Sequence, residues 1–478
     1  MGGSFFGLNV ARSGLFASQR ALTVTGHNIA NANTPGYSRQ RVEIVQSLPT
    51  VLPGGQGMLG SGVDTQHISN IRNEFLDYKY WSENQSYGEW NARSGVLETI
   101  ETIVNEPTDS GIRTVMDQYF AALQELSTKP EDLTVRALVR ERGIALSETI
   151  NLMGSQLEKL QSDLDFEIKT VVDEINGYAD QLAKLNEQIF RYELGGNKAN
   201  DLRDQRTLVL DKLSELVPVD AYEDSQGRMQ VMLKGKLLVS HITANHLTTE
   251  QRAYGDKNNE SDVENLSDVV WADGSAFIAD GGKLRGLLDM RDSSSDNNKG
   301  VPYYLEKLNH FAKTFAEQVN SIHREGYGID GTTGIDFFEM DETATSLKVS
   351  EAIDLDLNAI AASSTYAGLP GDGSNALKMN QLKDDANMFA WGKPGDFMKS
   401  LIANLGVDAQ QAIRVSSNQS ALLEQTDINR QSVSGVSLDE EMANMVKFQH
   451  AYNANARMIT TIDEMIDVLV NKMGLVGR

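Results

Sequence analysis

Two seven-residue repeats, one at each end of this 478-residue chain, do most to limit what it can fold into. Near the N-terminus Leu8, Leu15, Leu22 and Ile29 keep the spacing, and Ala11, Ser18, Thr25 and Ala32 form a small-residue row between them. Such a repeat gives a helix one narrow apolar seam, and the small row lets a partner helix come close. At the other end Leu438, Met445, Tyr452, Ile459, Ile466 and Met473 hold the same period. A second row there, Phe448, Ile462, Leu469 and Val476, is interrupted by Glu441 and Asn455.

An isolated helix with one apolar seam needs a partner to bury it. The ends also differ in charge. No acidic residue precedes Glu43, whereas Arg12, Arg20, Arg39 and Arg41 do. The C-terminal repeat carries Asp439, Glu440, Glu441, Asp463, Glu464 and Asp467. Pairing of the two ends therefore has an electrostatic rationale beside the apolar one. Periodicity alone is equally compatible with two amphipathic helices in one ordinary globular core.

Between the ends the predicted order is helix, strand, helix, strand, helix. Residues 34–72 read as loops and short strands, and residues 86–216 as mostly helical with a break at Gly195-Gly196. The stretch 217–280 alternates like strands, 283–325 returns to helix, 327–395 is Gly- and Asp-rich with strand-like runs such as SLKVSEAIDLDL, and helix runs from Asp396 onward. The expected fold class is multidomain α+β, a long helical or coiled-coil stalk made by both termini with small β-rich domains inserted. The expected domains are a terminal coiled coil (1–60 plus 430–478) and a helical stalk (61–216, 281–338 and 396–429). A β-rich outer domain (217–280) and a small β-rich insertion (339–395) complete the set.

Composition excludes several functions. A net charge of −24 argues against a nucleic-acid partner. With no cysteine there are no disulfides and no thiolate metal sites. No apolar run long enough for a transmembrane helix is present, so no membrane partner is expected, and the first residues do not read as a cleavable secretory signal. The match GQGMLG at 55–60 lacks the strand and helix context of a dinucleotide site and reads as a glycine-rich turn. DLDLN lacks the Gly and Glu of a calcium loop, since Ala359 and Thr365 stand at those positions, and reads as a solvated strand edge. DSSSDNNKG at 292–300 reads as hydrated loop. His241 and His246 read as opposite faces of a strand, and Trp81, Trp90, Trp271 and Trp391 as packing residues. No catalytic, cofactor or metal constellation emerges, and no enzyme activity is expected.

Several segments resemble the flagellar axial proteins. GHNIANANTPGYSRQ at 26–40 is similar to the segment after the N-terminal helix in rod, hook and hook-associated members. Its Asn28, Asn31 and Asn33 suit helix termination and side-chain-to-backbone bonds, Pro35-Gly36 makes a turn, and Tyr37 follows. The C-terminal VSGVSLDEEMANMVKFQHAYNANARMITTIDEMIDVLVNKMG is similar to the matching terminal helix. GGNKANDLRDQRTLVLDKLSELV at 195–217 resembles a signature of the hook–filament junction branch, carried by Asn200, Asp201, Leu202, Asp204, Gln205 and Arg206. Stretches at 108–136, 185–189, 281–292 and 320–338 agree with it, and together the matches span about two-thirds of the chain.

The resemblance implies a structural, non-catalytic adaptor between hook and filament, exported unfolded by the flagellar type III apparatus and extracellular once assembled. The seam residues Leu8, Leu15, Leu22, Ile29, Leu438, Met445, Tyr452, Ile459, Ile462, Ile466, Leu469 and Met473 would be its assembly interface. Implied partners are further copies in a ring or tube segment, hook protein, hook-associated protein 3 and an export chaperone; no cofactor is implied. The alternatives are another axial component, hook protein or hook-associated protein 3, against which the ANDLRDQR block speaks. A flagellum-borne enzyme or adhesin acting on glycans is a further alternative.

Overall fold

The computed structural model describes residues 4–51, 57–104, 111–224 and 226–472. In chain order the helices are α1 (Ser4–Ala30), α2 (Glu74–Val104), α3 (Ile112–Thr128), α4 (Leu133–Glu193), α5 (Asn200–Leu216), α6 (Gly282–Asp292), α7 (Val301–Glu325), α8 (Glu351–Leu355), α9 (Ser374–Gln381), α10 (Pro394–Ser434) and α11 (Leu438–Asp467), the last continued by a π-helical turn at Val468–Lys472. The main strands are β1 (Gln40–Gln46), β2 (Thr50–Val51), β3 (Met58–Leu59), β4 (Val63–Asn70), β5 (Asp220–Glu223), β6 (Met229–Leu233), β7 (Lys236–Ser240), β8 (Thr243–Ala244), β9 (Leu247–Gln251) and β10 (Ser267–Trp271). This is the expected class: long helices at both ends and small antiparallel sheets between.

The chain divides into two compact units. The first comprises residues 1–85, 174–246 and 420–478. Here α1 packs on α11, β1 and β4 form an antiparallel hairpin with Gln40 opposite Asn70, and β5–β8 form a four-stranded meander. The C-terminal part of α4 buries Ile175, Ala179, Leu182 and Ile189, at helical spacing. On the same segment the fully buried Asn186 donates to the Met229 and His241 carbonyls and accepts from the Met229 amide.

The second unit, residues 86–173 and 247–419, is built around an aromatic core. Tyr119 and Phe120 of α3 meet Phe315 of α7, and Tyr119 also meets Phe337 and Phe338, with ring centroids 5.7–6.1 Å apart. Phe311 stacks on Phe389 at 5.3 Å and on Phe397 at 5.7 Å. Two arginines are enclosed. Arg136 donates to the carbonyls of Pro130, Leu357 and Ile360, and burial pushes it down to about 10. Arg291 donates to the Asp165 carboxylate at 2.7 Å and to the Ser267 carbonyl. Buried charges of this kind persist only when so satisfied.

Four local expectations change. The C-terminal helix is not continuous. It breaks after Ser434, and α11 restarts on an N-cap at Ser437, with three carboxylates in its first turn. The run SLKVSEAIDLDL holds a two-residue strand, Lys348–Val349, and then α8, because Ser350 and the acidic Glu351 and Asp354 open a helix. Asp356 of DLDLN is therefore not at a strand edge; it caps a 3₁₀ turn by accepting from the Asn358 amide. DSSSDNNKG is a tight hairpin pairing Ser294–Ser295 with Asn298–Lys299. His241 sits in a turn at φ +56° and His246 in the link before β9, each beside a carboxylate, Asp224 and Asp180. Of GQGMLG, Gly55 and Gln56 lie outside the described residues, and Met58–Leu59 is β3 of the hairpin extension.

Candidate assembly interface

Helices α1 and α11 run antiparallel. A Cβ on Gly7 would lie 3.4 Å from Ile462 Cδ1, and one on Gly14 would lie 2.8 Å from Asn455 Oδ1. Seven residues up one helix thus correspond to seven residues down the other. Fourteen further on, Asn28 meets Glu441. The register is constant along the pair, as a heptad seam requires.

The small residues, rather than the leucines, make the closest approach. Ala11, Ser18 and Thr25 are buried, together with Ala17, Ala21 and Val24. Leu8, Leu15, Leu22 and Ile29 are half-buried along the flank. On α11 Met445, Tyr452, Ile459, Ile462 and Ile466 are likewise half-buried, while Leu438 and Leu469 are each 47% exposed. Met473 lies outside the described residues. The pair thus covers only part of either apolar row.

The interruptions of the C-terminal row sit at the contact between the two helices. Asn455 stands against Gly14, where a side chain would have to displace the Asn455 amide. Glu441 is 2% exposed and accepts from Asn28 Nδ2 at 3.0 Å and Arg39 Nε at 2.8 Å. Asn28 is no helix terminator, since α1 continues to Ala30. Its amide instead imitates a strand edge, accepting from the Gln40 N–H at 3.0 Å and donating to the Gln40 carbonyl at 2.9 Å. Tyr37 donates to Asn28 Oδ1 at 2.8 Å; burial, then Asp201, Asp204 and Glu441, pushes its phenol well above the ordinary range, so it stays a donor. Asn31 bonds back to the His27 carbonyl, and Gly36 turns at φ +78° against Leu208. Asn33 and Pro35 are exposed.

The interior signature closes on this same knot. Asp204 accepts from the Ser38 amide at 2.9 Å, the Ser38 hydroxyl at 2.6 Å, Asn70 and Arg72. Burial pushes its carboxyl above the usual range in spite of these donors. Asp201 accepts from Gln40 Nε2 at 2.7 Å, and Asn200 donates to the Ile68 carbonyl. Arg206 donates to Asn186 and to the Gly227 carbonyl, tying α5 to α4 and the β5–β8 sheet. Leu202 is half-buried, and Gln205 is exposed. Sequence reasoning missed Ser38, Arg39, Gln40, Arg72 and Glu441 as partners, and it missed the Arg430–Asp211 ion pair at 2.8 Å, where Arg430 also covers the Tyr80 ring. The usable signal was a polar residue interrupting an apolar row. Among the described residues no group of three or more His, Asp or Glu could hold a metal ion.

Antiparallel terminal helices joined from Asn28 to Glu441 are what the resemblance to flagellar axial proteins implies, and the comparisons agree. Residues 8–37 match the flagella basal body rod protein family and residues 429–472 the C-terminal family of the flagellar basal body rod FlgEFG proteins. Residues 97–338 match the flagellar hook-associated protein FlgK helical domain. Flagellar hook-associated protein 1 of Bacillus subtilis is 35% identical over the full length of both chains, and that of Escherichia coli is 25% identical over 97% of this chain and 99% of its own. The flagellar hook junction protein FlgK from Burkholderia pseudomallei shares the fold, with a TM-score of 0.63 at 17% identity over 75% of this chain and all of that one. The chain belongs to the flagellar hook-associated protein 1 family.

Proposed function

We propose that the chain is a structural subunit of the flagellum, working at the hook–filament junction, and that its terminal helix pair is what it assembles through. The supporting observation is the incomplete cover of that pair. Helix α1 buries its small residues, and both helices leave larger apolar side chains open, including Phe16, Met442, Met458 and Met465, which are more than half exposed. Exposed apolar rows of this kind mark protein–protein contact. In this reading residues 1–60 and 430–478 line the tube, residues 61–216, 281–338 and 396–429 make the stalk, and residues 217–280 and 339–395 face outward. The role is non-catalytic. The partners are further copies of the chain, hook protein on one side and hook-associated protein 3 on the other, with an export chaperone holding the unassembled chain before type III secretion.

Deleting residues 1–26 tests this, because the knot from Asn28 to Glu441 is left in place. Expected is a soluble, folded protein that no longer attaches filaments in cells lacking the native copy. Normal filament attachment by the deletion would refute the assignment of assembly to these helices.

A further inference from the structure

Beyond the knot a groove of about 300 Å³ opens, lined by residues of α1, β1 and α11. Val24, Val42, Ile44 and Phe448 give it apolar walls, and Ile44 is 43% exposed. Arg41 and Lys447 add positive charge to its lining, Arg41 already paired with Glu43 at 2.8 Å on its exposed side. Arg39, also in the lining, is already engaged by Glu440 and Glu441. Lys447 rests near the Phe448 ring, and among the described residues no carboxylate pairs with it.

The other end of the same helix has the complementary character. Asp463 and Glu464 have no Lys or Arg three or four positions away on α11, and both face the like charge of Asp467 at that spacing, a repulsive arrangement. Beside them Met465, Val468 and Leu469 are exposed at 60%, 46% and 47%. Sixteen residues of helix separate Lys447 from Asp463, roughly 24 Å at 1.5 Å per residue. A rigid helix cannot fold its own tip into its own groove.

We propose that the acidic, apolar C-terminal end of α11 in one copy seats in the β1–α11 groove of the next, with Asp463 and Glu464 meeting Lys447 and Arg41. The contact rests on the reading of the terminal pair as the assembly surface and specifies how the copies engage. Because groove and tip are different surfaces, the contact is heterologous and propagates from copy to copy instead of closing a two-fold dimer.

The chain has no cysteine, so a disulfide can be placed on a clean background. The test is a chain carrying both Lys447→Cys and Asp463→Cys, expressed in flagellated cells lacking the native copy and oxidised after assembly. A disulfide needs Cα atoms within about 7 Å, which excludes closure within one copy. The expected result is a ladder of dimers, trimers and longer species, absent from either single variant. As a second arm, Arg41→Glu with Lys447→Glu should cut filament attachment severalfold, and Asp463→Lys with Glu464→Lys in the same chain should restore it. Dimers alone, or filament-bearing cells without cross-links, overturn the proposal. So does a charge reversal that leaves attachment unchanged, and so does a loss that the compensating reversal fails to restore. If attachment survives these changes but is lost on deleting residues 1–26, the groove falls and the assignment of assembly to the helices stands.

Discussion

Asn28 and Glu441, 413 positions apart in sequence, are joined by a buried hydrogen bond of 3.0 Å that ties the first long helix to the last. The same Asn28 amide carries both main-chain groups of Gln40, so one side chain fixes the helix pair and the start of the hairpin together. A buried polar network stabilises only when every member is satisfied, which makes this knot sensitive to single changes.

Glu441→Ala should therefore be costly. It removes the carboxylate that neutralises Arg39 Nε and that Asn28 Nδ2 donates to. Breaking a buried, charge-assisted pair costs about 3 kcal/mol. Chemical denaturation should show that loss, and limited proteolysis should cut the Gly435–Ser437 link faster. An unchanged midpoint would mean that Arg39 is served fully by Glu440.

Gly14→Leu probes the closest approach of the helices. The Asn455 amide can yield to a single methyl, but a leucine needs the backbones to separate. Overpacking of this kind typically costs 1–3 kcal/mol. Filament attachment should be lost with Gly14→Leu and largely kept with Gly14→Ala, read by swarming and by electron microscopy of cell-attached filaments.

Ile459→Asp separates assembly from folding. Ile459 is half-buried on α11 and belongs to the row that the α1 pair covers only in part. The substitution should abolish attachment while the melting temperature of the monomer moves by only a few degrees. A large fall in melting temperature would assign the row to an ordinary core.

A pH dependence is built into the second unit. His323 is buried, its Nδ1 donates to the Ile335 carbonyl at 2.7 Å, and its Nε2 accepts the Ala361 N–H at 2.9 Å. Burial pushes its pKa down from 6.5 to about 4. Above 6.5 the ring is neutral in both the folded and unfolded chain and has no effect. Between 6.5 and 4 only the unfolded chain takes up the proton, so stability falls as pH falls through that window. The loss from this group levels off below 4 at about 3 kcal/mol. Denaturation midpoints between pH 7 and pH 5 should show the slope, and His323→Gln should flatten it.

How much of this was legible in sequence depends on range. The terminal helices, their seven-residue periods, the break at Gly195-Gly196 and the turn at Pro35-Gly36 follow from local preferences, which a reader of the chain can see. The strand reading of EAIDL failed because two acids in the first turn, Glu351 and Asp354, favour a helix N-terminus and outweighed alternation over so short a run. The leucine rows were found, but their role shifted. Periodicity shows that a face is apolar, whereas only the antiparallel register shows that Ala11, Ser18 and Thr25 make the contact and the leucines flank it.

The sequence by itself determined that both ends are amphipathic helices, that the chain is acidic and without cysteine, and that its segments resemble flagellar axial proteins. Only the tertiary structure decided that Glu441, which looks like a defect in an apolar row, is a point where the two ends are held, and that Asn455, another such defect, packs against Gly14. It also brought Asp204 of the interior signature onto Ser38, Asn70 and Arg72. Hydrophobic period is a one-dimensional property that each segment carries alone. A hydrogen bond between residues 413 positions apart exists only once the fold has brought donor and acceptor within 3.0 Å and excluded water from around them.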